Sequence, residues 1–128
     1  MILVIDDEEA IRESLHDILS LTGHEVTVAS SGQEGVDCFQ RGDYDLVFTD
    51  LAMAEMDGWE VAQTIKELKP QTPVILITGW WAQLDEGKIR QHHIDRVVPK
   101  PFSIDEIFGI VSETLEGKGN RREDEPAP

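Results

Sequence analysis

Asp50 follows the apolar run Leu46-Val47-Phe48-Thr49, and the pair Asp6-Asp7 follows another, Ile2-Leu3-Val4-Ile5. A third run, Val74-Ile75-Leu76-Ile77, ends in Thr78, and the brief run Arg96-Val97-Val98 leads to Lys100. If these runs are parallel strands, their carboxyl ends meet at one edge, where open sheets of this kind form their sites. Carboxylates gathered that closely repel one another, so either protons are retained or a cation neutralises them. A bound cation is the better solution. Oxygen-only ligands select a hard ion, and a site that keeps waters and a phosphoryl oxygen suits Mg²⁺ better than Ca²⁺. An aspartate carboxylate can attack phosphorus to give an aspartyl phosphate. That chemistry needs cations on the equatorial oxygens, which Mg²⁺ and the Lys100 ammonium can supply, while the Thr78 hydroxyl can donate to a third oxygen. Taken singly, each residue has a plainer explanation: a strand-end Thr bonding backbone, a surface Lys, acids capping helices. At successive strand ends together they point to one phosphoryl-transfer site.

The elements that must position these residues are legible as alternating apolar runs and helical patterns, five strand-helix units in all, which predicts an α/β fold with a parallel sheet. Ile2 to Ile5 is the first strand, and Ile11, Leu15, Ile18 and Leu19 recur at helical spacing until Thr22-Gly23. Val26 to Ala29 is the second strand, with capping residues Ser30-Ser31 and a helix marked by Val36 and Phe39 ending near Gly42. After Asp50 a loop runs to Gly58, where a permissive backbone is wanted, and Val61, Ala62, Ile65 and Leu68 then line a helix that stops before Pro70. Val74 to Thr78 is apolar enough for a central strand. A weak helix spans Asp85 to His92, and the prolines beside Lys100 suit an edge strand. Ser103 and Glu106 form a capping box for the last helix, whose buried face is Ile104, Ile107, Phe108, Val111 and Leu115. The expected division is one domain over 1–116 and a flexible tail or linker over 117–128.

Composition narrows the function. At 128 residues, one domain with its own core is expected. The formal net charge of -15 disfavours direct nucleic-acid binding. In the last segment Lys118, Arg121 and Arg122 balance Glu123, Asp124 and Glu125, so the acid excess lies in the folded body. No apolar run is long enough to span a bilayer, and the opening run Met1 to Ile5 is too short for a signal peptide. The single Cys38 cannot form an internal disulfide and falls in a helical pattern, which suggests packing and a reducing, cytoplasmic setting. His16, His24, His92 and His93 have no metal-ligand spacing, Trp59 is expected to pack locally, and no phosphate-binding Gly-Lys loop is present.

Asp6-Asp7-Glu8, then Asp50 followed by Met53 and Met56-Asp57-Gly58, then Thr78-Gly79 and Lys100-Pro101-Phe102 form an ordered set that resembles the receiver domain of bacterial two-component response regulators, over residues 1–116. The acceptor loop and Thr78-Gly79-Trp80 look like receivers attached to hybrid sensor histidine kinases. The resemblance implies a doubly wound, flavodoxin-like five-stranded parallel sheet of order 2-1-3-4-5 with helices on both faces, and often a cis Lys100-Pro101 bond. It also implies that Asp50 is the phosphoacceptor. Asp7 and Asp50 would hold Mg²⁺ directly with the carbonyl of Ala52, Asp6 would help through water, and Thr78 and Lys100 would contact the phosphoryl group. The donor would be a histidine kinase or phosphotransfer domain, the receiver would catalyse its own phosphorylation and slow dephosphorylation, and the output would be another domain or protein.

Two positions depart from the family pattern. Ala54 replaces a frequent Pro, and Val97, three residues before Lys100, replaces the usual aromatic switch. Trp80, if folded over the site, would exclude water and slow hydrolysis. Two other function classes are weighed: a phosphohydrolase with an aspartyl-phosphate intermediate, for which Ala52 supplies no acid, and a receiver-like interaction module that no longer uses phosphate, favoured by Val97 and Ala54.

Overall fold

The computed structural model describes residues 1–80 and 84–116. The expected tail over 117–128 and Trp81 lie outside the described residues. Five strands, β1 (Ile2–Ile5), β2 (Val26–Ala29), β3 (Leu46–Asp50), β4 (Val74–Thr78) and β5 (Arg96–Pro99), alternate with five helices, α1 (Glu9–Ser20), α2 (Gly32–Arg41), α3 (Gly58–Leu68), α4 (Glu86–Gln91) and α5 (Ile104–Val111). A π-helical turn, Ser112–Glu116, continues α5. All strand pairs are parallel and the order is β2-β1-β3-β4-β5, as the resemblance implies.

Strand residues alternate between faces, and this divides the core in two. Ile2, Val4, Phe48, Ile75, Ile77 and Val98 pack against Leu15, Ile18 and Leu19 of α1 and Ile107, Ile110 and Val111 of α5. Leu3, Ile5, Val47, Val74 and Leu76 pack against Phe39 of α2 and Val61, Ala62 and Ile65 of α3. Because β1, β3 and β4 are covered on both faces, every residue in them is buried. The same requirement wrote the continuous apolar runs.

Helix boundaries follow local chemistry. Gly23, at φ 86°, takes the left-handed conformation that ends the α1 segment. Ser31, Asp57, Asp85 and Ser103 each accept a backbone N–H at the start of α2, α3, α4 and α5. Asp57 with Glu60, and Ser103 with Glu106, complete capping boxes. Glu8, at the start of α1, makes no such bond. Among the described residues no helix is long and apolar enough to cross a membrane.

Candidate functional site

The site is built by extending the sheet's hydrogen bonds one residue past the strand ends. Asp6 N–H donates to the Ala29 carbonyl at 3.1 Å, Leu51 N–H to Ile77 at 3.1 Å and Lys100 N–H to Thr78 at 3.0 Å. With the β1–β3 ladder, these bonds hold the strand ends at a common edge. Lys100 follows β5 directly and is joined to Pro101 by a cis peptide bond. Its ammonium reaches back over the sheet edge to Asp6 Oδ2 at 3.2 Å, Glu8 Oε1 at 3.1 Å and Asp50 Oδ1 at 3.2 Å.

Asp6 is fully buried and Asp50 nearly so. Burial, then the charge of Asp6 and, more weakly, that of Asp7, push the Asp50 carboxyl up to about 6 against the pull of Lys100. Asp6 is likewise raised, mainly by burial, although it accepts the Glu8 N–H on Oδ1 at 2.8 Å and faces Lys100. For Lys100 burial acts downward, but the charge of Asp6, the hydrogen bond to Glu8 and the charge of Asp50 together raise it above the ordinary lysine value. The cluster is therefore short of positive charge even with its lysine in place.

The donor set suits a hard divalent ion. Asp6 Oδ2 is buried with no hydrogen-bond partner, its approach to Lys100 being an ion contact rather than a directed bond. Carboxylate oxygens of Asp6, Asp7 and Glu8 lie within 4.8 Å of one another, the last two at exposed residues. An orphaned anionic oxygen beside solvent-facing carboxylates is what an oxygen-liganded Mg²⁺ that retains waters requires. The clustered triad differs from the set implied by the family resemblance, since it contains Glu8 where that set has Asp50 and the Ala52 carbonyl.

Thr78 ends β4, buried, in register with Pro99. Its Oγ1 accepts the Trp80 N–H at 2.9 Å, which leaves its own proton to donate. Trp80 itself is 61% exposed. Ala52 is exposed in the loop after Asp50. That loop is tight: Met53 N–H bonds Leu51 O at 3.2 Å, Met56 N–H bonds Ala54 O at 2.7 Å, and Glu55 has φ 67°. Val97 is half-buried and packed on the α2–α3 side of the core.

Sequence reasoning gave no long-range partner to two residues that the fold engages. Glu8 is one; its signal was a third acid directly after Asp6-Asp7. The other is Trp59, expected to pack locally, whose ring meets His92 at 5.2 Å and lies under the Lys88 ammonium at 5.8 Å, bridging α3 to α4. His92 is accordingly half-buried and not a purely solvated side chain.

Comparisons with known proteins agree with this architecture. The family model described as the response regulator receiver domain matches residues 2–112. The chain is 33% identical over 123 residues to the uncharacterized transcriptional regulatory protein YkoG of Bacillus subtilis, covering 96% of this chain and 54% of that protein. It is 31% identical over 110 residues to the cell cycle response regulator CtrA of Brucella ovis, covering 86% and 47%. The chain thus spans about half the length of the curated relatives it matches. Among solved structures, the response regulator TrrA of Thermotoga maritima in complex with Mg²⁺-BeF matches at TM-score 0.81 and 35% identity, over 88% of this chain and 96% of that one. A receiver domain from Methanospirillum hungatei matches at TM-score 0.88 and 25% identity, over 94% and 96%. With the motif residues at the carboxyl edge of a 2-1-3-4-5 sheet, this chain belongs to the response regulator receiver domain family of two-component signalling.

Proposed function

We propose that Asp50 is the phosphoacceptor of this receiver, taking a phosphoryl group from the phosphohistidine of a histidine kinase or phosphotransfer domain. The observation that carries this is the buried Asp50 carboxylate 3.2 Å from the Lys100 ammonium, beside the orphaned oxygen of Asp6. An Asp50 oxygen attacks phosphorus, the bond from phosphorus to the donor nitrogen breaks, and its electron pair stays on the imidazole, which takes up a proton. Asp7, Asp50 and the Ala52 carbonyl would hold Mg²⁺, with Asp6 acting through water; bound there, the ion neutralises the carboxylates and the equatorial oxygens. Lys100 would bind one phosphoryl oxygen and Thr78, through its free O–H, another. Hydrolysis of the acyl phosphate by water returns the resting state, so the chemistry times a signal and does not turn over a metabolite.

Residues 1–116 act as the receiver and 117–128 as a linker toward an output domain or partner, in the cytoplasm. The acid excess makes this chain a poor reader of nucleic acid in its own right. Incubation with Mg²⁺ and acetyl phosphate, followed by intact mass, tests the acceptor. Wild type should gain one phosphoryl adduct and Asp50→Asn none. An adduct on both would place the acceptor elsewhere.

A further inference from the structure

The Lys100 ammonium lies within ion-pair distance of three carboxylates, Asp6, Glu8 and Asp50, and donates a directed hydrogen bond to Glu8 Oε1 at 3.1 Å. The three are not equivalent. Asp6 is sealed in the core, and Asp50 ends a central strand. Glu8 has a side chain 61% exposed and can leave Lys100 for water without desolvation. Its position is also unusual. Glu8 stands at the start of α1, where the corresponding residues of the other four helices turn their side chains onto the helix N–H groups; Glu8 does not, and points to Lys100 instead. Its backbone is fixed for this by its N–H bond to Asp6 Oδ1, and the Arg12 guanidinium secures the same turn by donating to the Asp6 carbonyl at 2.8 Å.

We infer that Glu8 is a positioning residue that holds a donor of Lys100 in the resting protein and is displaced by a phosphoryl oxygen when Asp50 is modified. This rests on Asp50 being the acceptor. Glu8 then acts through Lys100, as an exchangeable stand-in for the phosphoryl group. It keeps the ammonium aimed across the site, and it opposes phosphorylation because the incoming oxygens must compete for the same donor while lying near a like charge. No bond is made or broken by Glu8, and it is not a metal ligand in this arrangement.

The test uses the full chain with Glu8→Gln, which removes the charge, and Glu8→Asp, which keeps the charge but shortens the reach. In metal-free protein with ¹⁵N-labelled lysine, the Lys100 ammonium resonance, assigned by its loss in Lys100→Arg, should shift in both variants. At saturating Mg²⁺, beryllofluoride should bind Glu8→Gln about two- to fivefold more tightly, the range expected for losing a solvent-facing ion pair. The Mg²⁺ midpoint should stay within about threefold of wild type, as for a residue outside the metal shell; carboxylate metal ligands and their supports cost far more. An unmoved Lys100 resonance, weaker beryllofluoride binding or a larger loss of Mg²⁺ affinity would each overturn the inference, the last by making Glu8 a metal ligand. So would Glu8→Asp matching wild type throughout, since that would leave only its charge at work. If wild type formed no adduct on Asp50 the functional reading would fail by itself, because the metal-free resonance reports the Glu8–Lys100 contact independently.

Discussion

The Lys100 ammonium lies 3.2 Å from Asp50 Oδ1, although the two residues come from the ends of β5 and β3, with β4 between them in the sheet. That contact spans the carboxyl edge of the sheet and makes the charge state of Asp50 depend on a residue fifty positions away.

Protonation of Asp50 gives a signed pH dependence. Its carboxyl is raised from 3.8 to about 6 in the folded protein. The folded state therefore binds the proton more tightly than the unfolded chain, so the associated stability is fully present below about pH 4 and is lost as pH rises through about 6. The shift corresponds to roughly 3 kcal/mol at most. In metal-free protein Asp50→Asn should therefore be more stable than wild type at pH 7.5 and show a flatter stability profile between pH 4 and 7 in urea titrations. A variant no more stable than wild type at pH 7.5 would contradict the raised value.

Proton and metal compete for the same carboxylates. Mg²⁺ affinity, followed by calorimetry, should fall as pH is lowered through about 6, with proton release on binding near that pH. Wild type and Asp50→Asn should differ most above pH 6. Affinity independent of pH between 5 and 7 would mean that Asp50 is not in the metal's field.

Gly58 is packed against the end of β3, beside the backbone of Asp50 and Leu51. A Cβ there would sit 2.5 Å from the Asp50 carbonyl oxygen and 2.8 Å from Leu51 Cα, both backbone atoms that cannot swing away. Gly58→Ala should cost about 1–3 kcal/mol of stability, the usual penalty for forced overpacking. It should also slow phosphorylation by displacing Asp50, read by phosphoryl incorporation at a temperature where the variant remains folded. Wild-type stability in this variant would show that the loop has room the structure does not give it.

The carboxylate of Asp95 ties three segments together. Its Oδ2 accepts the Val74 N–H at 2.7 Å and faces the Lys66 ammonium at 2.9 Å, while Lys66 also donates to the Thr72 carbonyl at 2.9 Å. Asp95→Ala should destabilise the fold by about 1–3 kcal/mol, since a half-buried N–H and an ammonium lose their shared acceptor. Asp95→Asn should recover part of it through the N–H bond. Equal losses in the two variants would assign the effect to charge alone.

No residue of α4 is buried, and the Trp59 ring meets it through Lys88 and, just past its end, His92. Trp59→Leu should speed amide exchange in 86–91 several-fold, as expected for loss of about 0.5–1.5 kcal/mol of ring contact. Exchange confined to its wild-type rate would mean that Ile89, packed on the α2–α3 core, holds the helix by itself.

The sequence by itself determined the strand and helix order. The continuous apolar runs of β1, β3 and β4, four or five residues long, match strands covered on both faces, and the breaks at Gly23, Gly42 and Pro70 are local backbone chemistry. It also determined which residue types stand at the strand ends, because a parallel sheet sends every carboxyl end to one edge. Contacts were not legible in this way. Glu8 reads as a helix-start acid until the path of β5 brings Lys100 over it, and Trp59 reads as a local ring until α4 is laid against α3. The 61% exposure of Trp80 is likewise a property of the fold and not of its neighbours in sequence. Local pattern records the backbone hydrogen bonding and burial of each segment, which depend on near neighbours. Charge pairing over 92 positions, as between Glu8 and Lys100, depends on how whole elements pack, and only the tertiary structure decides it.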